Sequence, residues 1–153
     1  KTFTMFKFRT MRVDAEELKP SLMEANEADS SAGNSIMFKM ANDPRVTRIG
    51  AFLRKTSIDE LPQLFNVLRG DMSLVGPRPP LPSEVAQYEP RVMGKFAVRP
   101  GITGLWQISG RSNLSWDETV HLDLSYAQHR SLTLDTWIML QTIPAILRHE
   151  GAY

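Results

Sequence analysis

The sequence contains no cysteine. This absence excludes a disulfide-stabilised scaffold, a zinc site built on thiolates and a cysteine nucleophile, and it is typical of a reducing compartment. The sequence also lacks an apolar run of roughly 18 residues, the length that a helix needs to cross a bilayer, so no membrane span is predicted. No signal peptide is visible at the start of the chain.

Net charge is nearly absent too, since 18 Lys and Arg residues oppose 17 Asp and Glu residues for a net charge of +1. The balance is too even to indicate nucleic-acid binding, and we expect no nucleic-acid partner. Hydrophobic residues make up 42% of the chain and charged residues 23%, as in an ordinary globular protein. At 153 residues the chain has the length of one domain, and we expect residues 1–153 to form a single domain.

The strongest local pattern lies in residues 56–80. Four apolar residues at helical spacing predict a short amphipathic helix: Leu61, Leu64, Phe65 and Leu68. Gly70 is placed to end this helix. Pro62 has no backbone N–H and is tolerated only in the first turn, so the helix is predicted to begin at about residues 58–60.

Asp59 and Glu60 therefore lie at the predicted N-terminus of this helix, where the helix dipole stabilises negative charge. One interpretation is that both residues only cap the helix. The alternative comes from Arg78, which lies in the segment GPRPP (residues 76–80) and is held by prolines on a stiff, extended arm. A guanidinium matches phosphate in a bidentate manner, and Arg54 adds positive charge upstream. These residue types are compatible with phosphoryl transfer, but the chemistry alone does not decide between the two interpretations.

The remaining patterns predict an α+β fold that is compact and mostly helical, with short strands and hairpins. Strands are predicted at residues 2–10, 36–40, 72–75 and 105–108, and helices at about residues 14–26, 43–54, 83–88, 115–129 and 134–148. Residues 27–34 are predicted to form a surface loop. Asp43 is predicted to cap the helix over residues 43–54, which is expected to bury a stripe of four apolar residues: Val46, Ile49, Phe52 and Leu53. Pro20 is expected to bend or break the helix over residues 14–26. Ser115 and Glu118 have the spacing of a capping box at the start of the helix over residues 115–129.

Two segments have two interpretations each. Residues 36–40 form either an edge strand on the core or a membrane-facing patch. The helix over residues 134–148 is apolar nearly all round, so it either packs deeply or lies in a membrane interface. We favour packing in both cases. The three histidines show no grouping typical of metal ligands: His121, His129 and His149.

Five segments occur in the order that is typical of one protein family. They are FKFRTM (6–11), SIDELPQL (57–64), SLVGPRP (73–79), RPGITG (99–104) and QISGR (107–111). On these segments the sequence resembles the bacterial sugar transferase family, the monotopic polyprenyl-phosphate phosphoglycosyl transferases that begin exopolysaccharide, capsule and O-antigen assembly. The resemblance covers nearly the whole chain, and five ordered motifs are more specific than any single one.

The resemblance implies transfer of a sugar-1-phosphate from a UDP-sugar to polyprenyl (undecaprenyl) phosphate, with release of UMP. Asp59 would be the nucleophile on the β-phosphorus and would form an acyl-phosphate intermediate, while Glu60 would bind Mg²⁺. The remaining implied contacts are to phosphate from Arg54, Arg78, Arg9 and Lys7, and to nucleotide or sugar from Gln107 and Arg111. We expect Asp59, Glu60, Arg54 and Arg78 to surround one cavity large enough for a diphosphate.

Family members carry a hydrophobic re-entrant helix upstream of the matched region. The resemblance therefore implies that residues 1–153 are the cytosolic catalytic part of an enzyme at the cytoplasmic face of the bacterial inner membrane, without its N-terminal membrane segment. The long portion after Arg111 resembles the hexose-type members, which favours glucose or galactose over an N-acetylated sugar. The alternative function is a catalytically silent phosphate-binding, nucleotide-binding or interaction module.

Overall fold

The computed structural model describes residues 2–18, 20–25, 40 and 43–148. Its α-helices, in chain order, are α1 (Ala15–Leu18), α2 (Arg48–Thr56), α3 (Gln63–Leu68), α4 (Pro82–Val85), α5 (Leu105–Ser109), α6 (Trp116–His129) and α7 (Leu132–Arg148). Short 3₁₀ helices cover Pro20–Ala25, Ile58–Glu60, Pro90–Ala97 and Arg111–Asn113. Two strands, β1 (Ser73–Val75) and β2 (Gly101–Thr103), complete the described elements. The predicted α+β fold, mostly helical, is confirmed.

The two strands form a small parallel sheet, with Ser73 opposite Gly101 and Val75 opposite Thr103. A hairpin was expected, but the two strands that pair within the described residues are distant in sequence. Gly76 and Gly101 lie so close that a Cβ on Gly101 would overlap the Gly76 backbone, so the sheet depends on glycine there. This pairing fixes the residues that follow β1, which include residues 76–80, called here the proline-rich arm.

The predicted strand at residues 105–108 is wrong, because these residues belong to helix α5 and the strand precedes them. Leu105 and Ile108, three residues apart, both pack against the core, as one face of a helix does. In a run this short, apolar periodicity does not separate a strand from a helix.

The core cluster consists of Val75 in β1, Tyr126 in α6 and Ile138 in α7, with partly buried apolar side chains around it. The Tyr126 hydroxyl lies 2.7 Å from Asp135 Oδ1 and 3.1 Å from the Val75 carbonyl oxygen. Burial raises the pKa of Tyr126, so the hydroxyl stays protonated and can donate to these oxygens. The predicted helix over residues 115–129 is confirmed, including a capping box between Ser115 and Glu118.

The N-terminal segment is extended, as predicted, but it is not a strand. Apart from an isolated bridge between Met11 and Val46, it forms no strand pairing within the described residues. It lies against the turn at residues 58–66 instead: Phe8 N donates to the Asp59 carbonyl oxygen (3.0 Å), and the Asn66 side chain bonds to Phe6 N and the Thr4 carbonyl oxygen. The Asn66 side-chain amide and the Asp59 backbone carbonyl replace the neighbouring strand that the prediction required.

The predicted single helix from about residue 58 to Leu68 is divided at Leu61 and Pro62 into a 3₁₀ turn and α3. Its buried face is polar and consists of Asp59, Gln63 and Asn66, while the predicted apolar stripe is exposed, with Phe65 at 64% and Leu68 at 84%. The spacing of apolar residues defines the two faces of a helix correctly, but it does not determine which face the domain covers.

The same exposure recurs in two other helices. Ile49 and Phe52 of α2 were expected to be buried, yet they are 74% and 60% exposed. Helix α7 buries Ile138, whereas one face of it is exposed and includes Trp137, Leu140, Ile143 and Leu147. Deep packing of α7 is therefore wrong for that face. No helix in the described ranges is long and apolar enough to cross a membrane.

Asp43 does not open helix α2, which begins at Arg48 and is capped by the Thr47 side chain. Pro20 does interrupt the first predicted helix, since α1 ends at Leu18 and a 3₁₀ helix starts at Pro20. The predicted loop at residues 27–34, the strand at residues 36–40 apart from Met40, and His149 lie outside the described residues.

Candidate active site

A cavity of about 390 Å³ lies where the N-terminal segment, the turn after α2, the proline-rich arm and helix α5 meet. Seven predicted site residues line it: Lys7, Arg54, Asp59, Glu60, Arg78, Gln107 and Arg111. Arg9 does not line this cavity, and its side chain is exposed on the extended segment. The fold thus brings residues that are far apart in sequence, from Lys7 to Arg111, to one cavity.

The two carboxylates reach the cavity through a sharp reversal of the chain. Ser57 ends α2 in the left-handed region (φ 56°), a conformation that is uncommon for a residue other than glycine. The 3₁₀ turn that follows carries Asp59, which is only 2% exposed, and Glu60. Leu61 and Pro62, both in the right-handed helical region, continue this turn into α3, so the two carboxylates lie in the first turn of a helical segment, where negative charge is stabilised.

Lys7 supplies a full positive charge beside both carboxylates. Its Nζ lies 3.1 Å from Asp59 Oδ2 and 3.1 Å from Glu60 Oε1, so one ammonium bridges both carboxylates. The Asp59 side chain is buried whereas those of Lys7 and Glu60 are about one-third exposed, so the pair involving Asp59 is the less screened of the two. Residues 2–10 do not form the predicted strand, yet the Lys7 side chain still lines the cavity.

Arg54 approaches from the last turn of α2. Its Nε donates to Thr10 Oγ1 at 3.0 Å, which orients the guanidinium. Burial lowers the pKa of Arg54, and the negative charges of Asp59 and Asp43 oppose this shift. A guanidinium remains charged at any relevant pH, so the wall of the cavity holds a partly buried permanent cation close to Asp59.

Arg78 is held by a residue that the sequence analysis missed. Glu84, which is 6% exposed, accepts a hydrogen bond from Arg78 Nη1 at 3.1 Å and another from the Leu81 backbone N–H at 2.9 Å. One carboxylate thus fixes both the guanidinium and the end of the proline-rich arm. The signal in the sequence is a glutamate soon after an arginine that prolines keep extended.

A second missed pair is Asp43 and Arg45, both of which line the cavity. Arg45 is 4% exposed, and its Nη2 donates to Asp43 Oδ2 at 2.6 Å. The hydrogen bond from Arg45 lowers the pKa of Asp43, so this carboxylate stays ionised to lower pH than usual. The predicted helix cap at Asp43 is wrong, because this carboxylate forms a buried ion pair with Arg45 beside the site and Thr47 caps the helix.

Helix α5 presents two buried polar side-chain atoms that have no hydrogen-bond partner among the described residues. Gln107 Nε2 donates to the Ile102 carbonyl oxygen at 3.3 Å, which leaves Gln107 Oε1 as an acceptor. Gln107 Oε1 and Trp106 Nε1 are buried side-chain atoms that lack a hydrogen bond within the described residues. Buried polar groups are nearly always paired, so an unpaired donor and acceptor in the lining of a cavity are consistent with a ligand that pairs them.

The donor set for a metal ion is small. Among the described residues, no group of three or more acidic or histidine side chains is arranged to hold a metal ion. Asp59 and Glu60 are nevertheless adjacent carboxylates that already bind one cation, the Lys7 ammonium. One or two carboxylates combined with water and substrate phosphates are the ligands that Mg²⁺ takes in nucleotide enzymes, so the residues present fit such an ion.

Comparison with known proteins matches residues 1–149 to the family model described as bacterial sugar transferase. The chain is 50% identical over 151 residues to a galactosyl transferase CpsE of Streptococcus agalactiae, covering 98% of this chain and 32% of that protein. It is 46% identical to an undecaprenyl-phosphate galactose phosphotransferase of Salmonella typhimurium, covering 100% and 32%.

A UDP-glucose:undecaprenyl-phosphate glucose-1-phosphate transferase of Xanthomonas campestris is 38% identical, over 99% of this chain and 30% of that protein. The chain thus spans about a third of the length of these curated relatives. The match to the family model extends over nearly all of its residues. By that match, the chain belongs to the bacterial sugar transferase family.

Proposed function

We propose that this domain transfers a sugar-1-phosphate from a UDP-sugar to undecaprenyl phosphate, the first membrane step of extracellular polysaccharide synthesis. The observation that carries the proposal is the buried Asp59 carboxylate in a cavity that Lys7, Arg54 and Arg78 also line. The names of two relatives, which give undecaprenyl phosphate as the acceptor and galactose or glucose as the sugar, support the same chemistry. We propose a hexose of this type as the sugar.

In the first step a carboxylate oxygen of Asp59 attacks the β-phosphorus of the UDP-sugar. The new bond joins that oxygen to phosphorus, and the bond between the β-phosphorus and the bridging oxygen breaks. UMP leaves with the bridging oxygen and its electron pair, and no proton needs to move. The product on the protein is an aspartyl phosphosugar, a covalent intermediate that divides the transfer into two displacements.

The surrounding cations would position the diphosphate and stabilise the charge that moves toward the leaving group. Arg54 and Arg78 are suited to this role because Thr10 and Glu84 fix their guanidinium groups before any substrate binds. Groups held in place in advance need no reorganisation during the reaction, and phosphoryl transfer depends mainly on such positioning. The Lys7 ammonium would leave the carboxylates and pair with the incoming phosphate.

Glu60, beside the nucleophile, would hold a Mg²⁺ ion together with phosphate oxygens and water. When bound, such an ion neutralises the negative charge of the diphosphate and so reduces its repulsion of the Asp59 carboxylate. Trp106 Nε1 and Gln107 Oε1 provide an unpaired donor and acceptor for the nucleotide or sugar, with Arg111 nearby in the same lining.

The exposed apolar faces of α2 and α7 would contact the cytoplasmic surface of the inner membrane, where the lipid acceptor resides. Arg48 and Lys55 flank Ile49 and Phe52 on α2 and would complement anionic headgroups. Flotation with vesicles that contain anionic lipid measures this contact. Equal recovery of the wild-type chain and a Phe52→Gln variant with the vesicles would count against it.

The proposed function is tested by mass spectrometry of the protein incubated with Mg²⁺ and a UDP-hexose in the absence of acceptor. We expect a phosphosugar adduct on Asp59 and stoichiometric UMP, and neither product with the Asp59→Asn variant, because an amide cannot attack. An adduct on another residue, or on the Asp59→Asn protein, would refute the assignment. Circular dichroism of the variant provides the control for folding.

A further inference from the structure

A second cavity, of about 750 Å³, lies on the other side of the proline-rich arm. Its walls are mainly apolar and include Pro80, Pro82, Val85, Met93 and Phe96. The volume is in the range of small-molecule sites, which is roughly 300–1,000 Å³. Arg78 and Pro79 line this cavity and the first one, so the arm is a wall common to both.

The charges in the second cavity favour an anionic ligand. Arg99 lines it, is exposed, and has no ion pair or side-chain hydrogen bond within the described part of the chain. The other charged residues in the lining form ion pairs: Lys95 Nζ with Asp123 at 2.6 Å, Asp71 with Arg69 at 3.7 Å, and the shared Arg78 with Glu84 at 3.1 Å. Arg99 thus provides the positive charge beside an apolar surface, and Arg78 adds a guanidinium at the wall common to both cavities. A molecule with a phosphate group and a hydrocarbon chain matches both features.

We propose that the second cavity binds the isoprenyl chain of the lipid acceptor next to its phosphate, and that the phosphate reaches the reacting centre along Arg78. This inference rests on the proposed function, because it places one of the two substrates of that reaction. The donor is a polar nucleotide sugar and fits the first cavity, which holds the carboxylates and most of the cations. The acceptor is an amphiphile, and only its phosphate has to approach Asp59.

The arrangement suits the second displacement. An oxygen of the lipid phosphate attacks the phosphorus of the aspartyl phosphosugar, and a new P–O bond forms as the bond from Asp59 to phosphorus breaks. The carboxylate departs with the electron pair and is regenerated. Arg78 lies in the wall common to both cavities and would contact the donor diphosphate first and the acceptor phosphate afterwards.

The test separates the two half-reactions, using farnesyl phosphate as a detergent-soluble acceptor. Adduct formation on Asp59 is measured with UDP-hexose alone, and adduct discharge is measured after farnesyl phosphate is added. Met93→Gln replaces an exposed apolar side chain of the wall by a polar one of similar length, and Arg99→Gln removes the unpaired cation. Val13→Gln in the turn before α1 and Arg130→Gln after α6 are the matched controls, because both residues are exposed, line neither cavity and lie outside the exposed apolar faces of α2 and α7.

We expect Met93→Gln and Arg99→Gln to raise the KM for farnesyl phosphate about fivefold to tenfold, with adduct formation within about twofold of wild type. The controls should leave both half-reactions unchanged. If the two cavity variants slow adduct formation instead, the cavity takes the donor and the inference is wrong. Unchanged discharge in both variants would overturn it as well.

A photoreactive farnesyl phosphate provides a measurement that does not depend on turnover. We expect the label on residues of the second cavity, such as Val85 and Phe96, in the wild-type chain and in the Asp59→Asn variant alike. Labelling confined to α2 or α7 would contradict the inference and indicate a surface site for the lipid. If labelling occurs as expected but no adduct ever forms, the proposed function fails while the acceptor site stands.

Discussion

The Lys7 ammonium lies 3.1 Å from Asp59 Oδ2, and this contact connects the extended N-terminal segment to the candidate nucleophile. The same nitrogen also lies 3.1 Å from Glu60 Oε1. Two neighbouring carboxylates repel each other, and the single cation between them offsets that repulsion. The two carboxylates therefore share one cation, the Lys7 ammonium.

We expect Lys7→Met to slow formation of the Asp59 adduct about 10-fold to 100-fold, because a charge that stabilises the transferring phosphoryl group is lost. Lys7→Arg keeps the positive charge and should recover much of the rate. Rapid-quench measurement of UMP release provides the rate for each variant. A Lys7→Met protein that forms the adduct at the wild-type rate would show that Lys7 only pairs with the carboxylates in the resting state.

Glu84 is predicted to position Arg78 and to have no direct role in the chemistry. Glu84→Gln keeps the size of the side chain but replaces a charged acceptor by an amide, so the arm and the guanidinium should both lose rigidity. We expect a rise in the KM for UDP-hexose of about tenfold, corresponding to roughly 1.4 kcal/mol, and a smaller change in kcat. Glu84→Asp should recover part of the loss.

A purely structural role of Glu84 would give a different result. In that case Glu84→Gln would lower the melting temperature and the fraction of active protein, while the KM of the folded fraction stayed at the wild-type value. Thermal unfolding measured beside the kinetics separates the two outcomes. Gln87→Glu, one turn further along at an exposed position, is the control for a general effect of changing charge in this segment.

Much of the candidate site could be predicted because its residues lie in short local patterns. An arginine between prolines is extended wherever it occurs, and a proline restricts where a helix can start. Such rules placed Arg78 on an arm and Asp59 near a helix start without any knowledge of the fold. The resemblance to a family then implied which distant segments meet.

Glu84, Asp43 and Arg45 were missed because their roles depend on tertiary contacts. Nothing in the local sequence shows that Glu84 is buried against Arg78 or that Arg45 is buried beside the cavity. The exposed stripe of α3 was missed for a related reason. Periodicity separates an apolar face from a polar one, but Asn66 is buried because its side chain bonds the backbone of the N-terminal segment, at residues 60 and 62 positions away in sequence.

The buried pair of Lys95 and Asp123 gives a prediction about stability and pH. Lys95 Nζ lies 2.6 Å from Asp123 Oδ2, and both side chains are less than one-tenth exposed. Burial raises the pKa of Asp123, and Lys95 opposes this shift. We expect Lys95→Met to lower the free energy of unfolding by about 3–5 kcal/mol near neutral pH, because it leaves a buried carboxylate without a partner.

The sign of the pH dependence follows from the direction of that shift. A carboxyl whose pKa is higher in the folded state than in the unfolded state binds its proton more readily when folded. In Lys95→Met the free energy of unfolding should therefore fall as pH rises through the raised pKa and recover in mild acid. Urea unfolding across a pH series measures this. The double variant Lys95→Met, Asp123→Leu should recover most of the stability and lose the pH dependence, and a flat profile for the single variant would contradict the argument.

The last prediction concerns the division of roles between the two adjacent carboxylates. A nucleophile must approach phosphorus in line with the leaving group, and only one of two neighbouring side chains on a fixed turn can do so. Asp59 is buried at the cavity wall and its backbone is fixed by Phe8, whereas Glu60 is partly exposed and free to bind a cation with solvent and phosphate. Glu60→Gln should thus preserve the nucleophile and weaken Mg²⁺ binding roughly tenfold.

Two measurements check this division. Isothermal titration of Mg²⁺ into the protein with UDP present should give the weaker affinity for Glu60→Gln, with Glu89→Gln, an exposed glutamate away from the cavity, as the control. Adduct formation by Glu60→Gln should be slow at low Mg²⁺ and recover partly as the concentration is raised, since the carboxylate that attacks is intact. Asp59→Asn should not recover at any Mg²⁺ concentration. Recovery of Asp59→Asn, or complete loss in Glu60→Gln together with unchanged Mg²⁺ affinity, would reverse the two roles.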